Sequence, residues 1–494
     1  MKGKLLAIAG LILIGLQAAA QQTDTVSAPQ GGVWTLKQCV DYALANNLDV
    51  QRGVYGVESS EIDLRQARAA MIPTLNLGVS YGYNWGRSVD PVTYQFTTDA
   101  QNTMNPNATS SATIFNGFRL QNQVKQYSRS NEASKLDLQK TKNDISLNIA
   151  SLYISVVFNK EQLENAKFQL GSSQQQLDRT KKQVAAGGLP RSEELNLDAQ
   201  VATNEVNVIQ RENALNLSLL QLKQALQLPA STAMDVEVPQ LEVEDLVLDQ
   251  SRDQIYDIAK ETMPEVKSSQ AKIESSEFAV RAARGNIYPR LTANAMITSN
   301  YSSASDQRRF IRDGGQTTVV DTIGVAVTGP NPGDPTYPVL GSANVPTGKF
   351  EDSYGYRAQM KDNIYRQIGV TLSIPIFNGL QAKSTYQRAI ISRRLAEISA
   401  KETNNTLRQN VETAFNDAVA AAKTYQSSVR QVGAREEAFR MTKQRYEIGA
   451  ANYVEYQVAE NDLFRAKSDL VRAKYDFIFR KKVLDFYQGK PLDY

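Results

Sequence analysis

The tetrapeptide IFNG occupies Ile114–Gly117 and recurs at Ile376–Gly379, an offset of 262 in the numbering. Four letters can recur by chance; a shared register over the residues that follow does not. Gly187 follows Gly117 at the same spacing as Gly449 follows Gly379. The same offset carries Leu222 to Leu484 and Pro229 to Pro491 with no insertion. Upstream a second offset, 216, holds. VESSE at Val57–Glu61 matches IESSE at Ile273–Glu277, and each is followed at equal spacing by a proline, Pro73 or Pro289. Arg65 and Arg281 share that register, as do Ala67-Arg68 and Ala283-Arg284. The chain is a tandem duplication. The larger second offset means that the second unit carries an insertion between its proline and its IFNG. Units of roughly 200 residues are far longer than solenoid repeats, so they read as two halves of one object.

Composition narrows the classes. Lys2 and Lys4 precede an apolar run, Leu5–Leu16, and then Ala18-Ala19-Ala20. A charged start, a short apolar core and small residues predict a secretory signal peptide over 1–20, with Gln21 as the new N-terminus. The run is too short to span a bilayer, and no other stretch approaches the ~20 apolar residues of a transmembrane helix. The exported chain is then soluble or crosses a membrane as β-strands. Cys39 is the only cysteine, which excludes an intrachain disulfide and Cys–Cys metal sites. There is no histidine, so the commonest general base and zinc ligand are both missing. With no G-x-S-x-G and no metal cluster, no enzyme and no cofactor is expected. A net charge of +3 over 494 residues gives no basis for nucleic-acid binding.

The residues after each IFNG read as helix. Ile145, Ile149, Leu152, Val156, Leu163, Ala166, Leu170, Leu177 and Val184 step by threes and fours. Leu407, Val411, Ala414, Ala418, Ala421, Tyr425, Val432, Phe439 and Tyr446 do the same in the second unit. This a/d seam wants helical partners along its length. Without a proline before Gly187 or Gly449, each helix runs ~70 residues, about 100 Å at 1.5 Å per residue. A second heptad run follows each glycine: Val201, Val208, Leu215 and Leu222, then Leu463, Leu470, Phe477 and Leu484. A short turn between heptad helices predicts an antiparallel hairpin, so the chain holds two, with tips at Gly187 and Gly449. Alanine, serine and threonine share these seams with larger residues. Two readings stay open: an ordinary coiled coil, or a hollow helical array with one wet face.

The segments before the helices alternate. Leu75, Leu77, Val79, Tyr81, Tyr83 and Trp85 interleave with Thr74, Asn76, Gly78, Ser80, Gly82 and Asn84. Leu291, Ala293, Ala295 and Ile297 alternate with Thr292, Asn294 and Thr298, and Ile368, Val370, Leu372, Ile374 and Ile376 with Gly369, Thr371, Ser373 and Pro375. A weaker strand sets Ala108, Ser110, Ala112 and Ile114 against Thr109, Ser111 and Thr113. Period two marks strands with two unlike faces. Terminal aromatics and ~10-residue lengths suit a transmembrane barrel, while a soluble β-sandwich shares the alternation. Four strands cannot close a barrel, which needs at least eight, and open edges are forbidden in lipid. Other copies must complete the sheet: two give eight strands and three give twelve.

The chain resembles the TolC-type outer membrane efflux proteins over nearly all of its mature length. The resemblance rests on WTLKQCVDYALANNLDVQ (Trp34–Gln51), on IP-x-FNG after a strand (Ile374–Gly379), on RYEIGAANYVEYQVAENDLFRAKSDLVRAKYDF (Arg445–Phe477), and on the two-unit order helix, strand, strand, hairpin. It implies an α+β membrane protein of two tandem repeats. A homotrimer would form a 12-stranded β-barrel, four strands per chain, in the outer membrane lipid, continued by a long α-helical coiled-coil tunnel in the Gram-negative periplasm. The chain would be a passive exit duct of a tripartite efflux or type I secretion system, joined by a periplasmic adaptor to an inner-membrane pump. The expected segments are the signal (1–20), repeat 1 (21–229), a linker (230–250) and repeat 2 (251–494). Repeat 1 holds an N-terminal helix, strands near 74–86 and 107–115, and a hairpin near 117–226 with its tip at 187–190. Repeat 2 holds a helix, strands near 290–301 and 367–377, a long extracellular loop near 302–365, and a hairpin near 379–487 with its tip at 449–452. IFNG would then be the strand-to-helix junction, made once per repeat by Phe115-Asn116-Gly117 and Phe377-Asn378-Gly379, with glycine permitting the change of direction.

The resemblance puts the functional end at the tips. Glu193 and Glu455, at the same position past each tip glycine, match family positions that carry an acid. In a trimer each would form a ring of like charge, attracting cations. The plain alternative is that both are first-turn acids favoured by the helix dipole. Tyr446 matches the gating position. Val458 and Ala451 stand where many members have an acid and an arginine, and Arg191 is a candidate substitute. Adaptor contact is expected at Gly187, Gly188 and Leu189, an exposed apolar knob, and at Arg445, Gly449 and Ala450. The competing class is a surface or periplasmic structural coiled-coil or adhesive trimer without channel activity. Drug, metal and protein export are not separable by these residues.

Overall fold

The computed structural model describes residues 32–89, 96–98, 100–239, 250–304, 309–327, 333, 335–351 and 354–490. The expected signal peptide lies outside the described residues. The chain divides into two compact units, one of residues up to Arg65 with Lys125–Val280 and Arg388 onward, the other of Gln66–Val124 and Arg281–Gln387. The fold is α+β, and the duplication is visible in its element boundaries. Helices α1 (Leu36–Asn46) and α2 (Leu48–Ala69) recur at the 216 offset as α5 (Arg252–Thr262) and α6 (Pro264–Gly285). Helices α3 (Arg119–Ala185) and α4 (Arg191–Ala225) recur at the 262 offset as α8 (Gln381–Glu447) and α9 (Tyr453–Tyr487). A short α7 (Tyr356–Asp362) has no counterpart among the described residues.

The expected single helix before each sheet is two. Asn47 and Met263 take extended backbone, ψ +132° and +130°, which breaks the helix in each repeat. Both first helices open with a capping box, Thr35 with Gln38 and Ser251 with Gln254, so reciprocal bonds satisfy the free N–H groups at the start. The seam positions bury as the heptads predict. Ile149, Val156, Leu407, Val411 and Ala418 are fully enclosed. One core gathers Trp34, Cys39, Ile149, Tyr153, Val156, Leu222, Val236 and Tyr475, joining the N-terminal segment to both hairpins. There burial pushes the Cys39 thiol up to about 12, leaving it protonated and inert. The expected linker is partly structured: strand Asp235–Val236 pairs in parallel with Val33–Trp34, and Lys160 holds Asp235 at 2.7 Å. Its residues 240–249 lie outside the described set.

The strands, in chain order, are β1 (Val33–Trp34), β2 (Thr74–Asn84), β3 (Ser88–Val89), β4 (Phe96–Thr97), β5 (Gln101–Phe115), β6 (Asp235–Val236), β7 (Arg290–Thr298), β8 (Tyr301–Ser302), β9 (Arg309–Val327), β10 (Thr336–Glu351) and β11 (Tyr365–Ser373). The main sheet is antiparallel with order β11-β7-β5-β2, and β8 adds to β5. Its register sorts the residues into the two expected faces. Leu77 stands opposite Ala108, Ala108 opposite Ile297, and Ile368 opposite Ala295. On the other face Asn84 bonds Thr103 at 3.1 Å and Thr298 bonds Asn105 at 2.9 Å. The apolar face is bare: Leu77 is 81% and Ile368 87% exposed.

Two expectations are corrected here. The segment 302–365, expected as a long loop, carries regular structure. Its described part is mostly an antiparallel hairpin of β9 and β10, with Thr318 opposite Asn344, followed by α7. Gly and Pro at its flanks masked the β-branched run Thr317–Val327, whose strand preference decides the outcome. The strand before the second IFNG stops at Ser373 instead of running to 377. Its ladder ends where β7 begins, Ser373 opposite Arg290, and Pro375 has no N–H to donate. Before the first IFNG the strand reaches Phe115, because β7 continues beside it through a bulge.

Candidate functional site

At each tip the helix ends in the same way. Gly187 and Gly449 are left-handed, at φ +74° and +76°. Gly188 N–H donates to Gln183 O at 2.9 Å and Gly187 N–H to Val184 O at 3.0 Å; Ala450 bonds Arg445 at 2.7 Å and Gly449 bonds Tyr446 at 3.0 Å. Both are Schellman caps, which close the last carbonyls and need a residue free to take positive φ. The returning helices start differently. Pro190 caps α4 with no side-chain bond, while Asn452 accepts from the Glu455 N–H at 2.9 Å.

The two expected acids therefore differ in their surroundings. Glu455 is exposed and pairs with Arg445 at 3.4 Å, while Arg445 also donates to Ala450 O at 3.2 Å. Glu193 instead lines a groove of about 700 Å3 between the hairpins, together with Gln176, Gly188, Leu189, Lys443, Tyr446 and Tyr453. Tyr446 is half-buried there. Its ring lies 5.0 Å from that of Tyr456 and 6.4 Å from that of Tyr453, and Gln176 donates to its hydroxyl at 3.4 Å. Burial raises the pKa of Tyr446 and Tyr453, and the Glu193 charge adds to both. Of the three residues expected at the gate, Glu193 and Tyr446 thus line one groove, with Glu455 outside it. Arg191 makes no ion pair among the described residues. Leu189 is half-buried in the groove and is not the exposed knob; Ile448, beside Gly449, is 80% exposed. It is the last residue before the left-handed turn, so its side chain has left the seam.

Sequence reasoning missed the polar layer that joins the hairpins behind the tips. Gln162, Gln169 and Gln176 lie seven apart. Gln162 donates to Ser468 O at 3.0 Å, Gln169 to Asn461 at 3.1 Å, and Gln176 to Tyr446. Gln200 and Gln457 also bond across. Within it sits Glu460, 8% exposed, accepting from Ser172 at 2.8 Å and Tyr456 at 3.4 Å. Desolvation raises its pKa, opposed by those two bonds and by Lys443. The strict spacing of seven was the available signal, as was an acid on the 456–460–463 seam. No group of metal-ligating side chains is found among the described residues, and no described helix is long and apolar enough to cross a membrane.

No curated protein matches this chain by sequence. Solved structures do match in fold. The outer membrane protein VceC of Vibrio cholerae is 16% identical with TM-score 0.68, covering 93% of this chain and 97% of that one. The CmeC outer membrane channel of Campylobacter jejuni is 15% identical with TM-score 0.67, covering 92% and 85%. The open-state MtrE outer membrane channel of Neisseria gonorrhoeae is 14% identical with TM-score 0.67, covering 95% and 94%. A sequence model described as outer membrane efflux protein matches residues 39–227 and 255–480, which takes in both repeats. This chain belongs to the outer membrane efflux protein family.

Proposed function

We propose that the chain is the passive outer-membrane exit duct of a tripartite efflux or type I secretion system, working as a homotrimer. One observation carries this reading. Among the described residues the main sheet has a bare apolar face and two unpaired edges, β2 and β11. Lipid accepts the face but not the edges, and three copies would close twelve strands. The second junction supports the same assembly. Gly117 packs against Gly285 and Tyr288, whereas nothing lies within 4 Å of a Cβ placed on Gly379. By the repeat register the missing neighbours are Ala69 and Ile72 of another copy.

In this reading the β9–β10 hairpin is extracellular and the helices are periplasmic. The tips meet the adaptor through Gly187, Gly188, Leu189, Arg445, Gly449 and Ala450, with Ile448 added as the exposed anchor, and the adaptor links the duct to an inner-membrane pump. Glu193, Glu455 and Tyr446 form the gate. The polar seam of glutamines lets the second hairpin part from the first without baring a dry core. Conductance of the purified protein in planar bilayers tests this, with divalent cation added to one side at a time. A long-lived channel blocked from the tip side alone is expected. A folded, SDS-resistant oligomer that never conducts, even with the tip residues mutated, would favour the structural coiled-coil trimer instead.

A further inference from the structure

The first junction encloses a pocket of about 190 Å3 that differs in chemistry from the tips. Asn116, Arg119, Asn286, Arg290 and Ser373 line it, and no carboxylate does. Asn116 is 5% exposed. Its Oδ1 accepts from the Leu120 N–H at 3.4 Å, capping α3. That bond fixes the amide's orientation and leaves Nδ2 buried with no acceptor. A buried donor without a partner is costly, so this one calls for an acceptor. Arg119 and Arg290 line the same pocket with no ion pair among the described residues, and Arg119 is the first residue of α3, where the helix dipole favours an anion.

The place of the pocket selects the source of that anion. Arg290 stands opposite Ser373 and shares a face with Thr292 and Asn294, the polar face of the sheet. The lipid-type residues Leu291 and Leu372 point the other way. The counterpart junction, built from the same IFNG, lacks this chemistry. At the positions of Arg119, Arg290 and Asn286 it has Gln381, Thr74 and Ala70. The charge is thus a property of one junction and not of the junction motif.

We propose that the Asn116–Arg119–Arg290 pocket binds a small phosphate-class oxyanion on the polar face of the sheet. Two arginines and one buried neutral donor line a space several times the roughly 30 Å3 that one water occupies in the liquid. The inference is independent of conduction: a chain that conducts but binds no phosphate overturns it and leaves the duct reading intact.

The test is calorimetric titration of inorganic phosphate into the full chain in neutral detergent, at constant ionic strength against chloride. Saturable binding near one phosphate per chain is expected. Asn116→Asp keeps the oxygen that caps α3 and so keeps the fold, checked by circular dichroism, while replacing the donor with a charge that repels. It should weaken binding about tenfold or more, as should Arg290→Gln. Asn378→Asp at the other junction should leave binding unchanged. Absence of saturable binding, or binding that survives Asn116→Asp, overturns the proposal. Binding of phosphatidylglycerol bicelles without binding of inorganic phosphate would make the ligand a lipid headgroup and overturn the polar-face assignment.

Discussion

Gly117 and Gly379 sit at φ +64° and +61°, and the residues after them, Phe118 and Leu380, at +59° and +66°. The two junctions share their sequence and their backbone but not their neighbours. A Cβ on Gly117 would lie 2.8 Å from Gly285 O and 2.9 Å from Tyr288, and one on Gly379 would meet nothing. Identical segments thus fix a local turn, while tertiary context decides what the turn is for. The first joins the repeats inside the chain. The second presents the same turn outward. The same divergence runs through the tips, where among the described residues Glu455 has an ion pair and Glu193 has none, and through the seam, where buried Glu460 answers to exposed Asp198 in the first repeat.

The largest contrast is expected at the glycines. Gly117→Ala adds a backbone clash to left-handed strain and should destabilise the unassembled chain by about 3 kcal/mol or more, against about 1–2 kcal/mol for Gly379→Ala. Denaturant unfolding of the monomeric chain reads this. In yield of SDS-resistant oligomer the two should be equally damaging, because in the proposed trimer a neighbouring copy fills the space beside Gly379. A mild Gly379→Ala in both assays would break the proposed inter-copy equivalence.

Next comes the seam. Glu460→Ala strips Ser172 and Tyr456 of their acceptor and should cost about 1–3 kcal/mol, while Asp198→Ala stays within about 0.5 kcal/mol. The buried carboxyl also gives a pH signature. Its pKa is raised above the ordinary 4.5, so its contribution to stability is full below 4.5 and is lost as pH rises through the folded value. Thermal stability should fall over that interval in the parent and fall less in Glu460→Gln. An equal slope in both would remove Glu460 as the cause.

The tip acids should differ more modestly. Glu193→Ala is expected to reduce cation selectivity and divalent block more than Glu455→Ala, because Arg445 already neutralises Glu455. Equal losses in reversal-potential measurements would mean that the ion pair opens in the assembled duct. Smallest in stability is Arg445→Ala, an exposed pair worth about 0–1 kcal/mol, which should leave unfolding unchanged while it frees the Glu455 charge and weakens the proposed adaptor contact.

The ends of the hairpin helices were legible because the 262 offset carries them: α3 and α8 share both ends in the repeat register, as do α4 and α9, whereas the breaks at Asn47 and Met263 were not. Seam burial was legible from period alone. The end of the strand before the second IFNG was not, because IPIF lacks a partner strand there, and pairing is a tertiary fact. The β9–β10 hairpin hid behind its Gly- and Pro-rich flanks. Leu189 was read as the exposed knob and Ile448 passed over, since which apolar residue leaves a seam depends on where the Schellman turn begins. Position-by-position comparison of the repeats would have shown that Arg119 and Arg290 belong to one junction only.

The sheet order has a consequence for biosynthesis. Strands β2 and β5 pair across a short connection, but β5 meets β7 only after the whole first hairpin, the linker, α5 and α6 have been made. Closing so long a loop is slow, since its entropy must be lost before the ladder forms. A nascent chain therefore holds half a sheet, apolar on one side and unpaired at β5, while the residues from Phe115 to Arg290 are made. Such an edge invites wrong partners. The chain should depend on a holdase until its second half arrives.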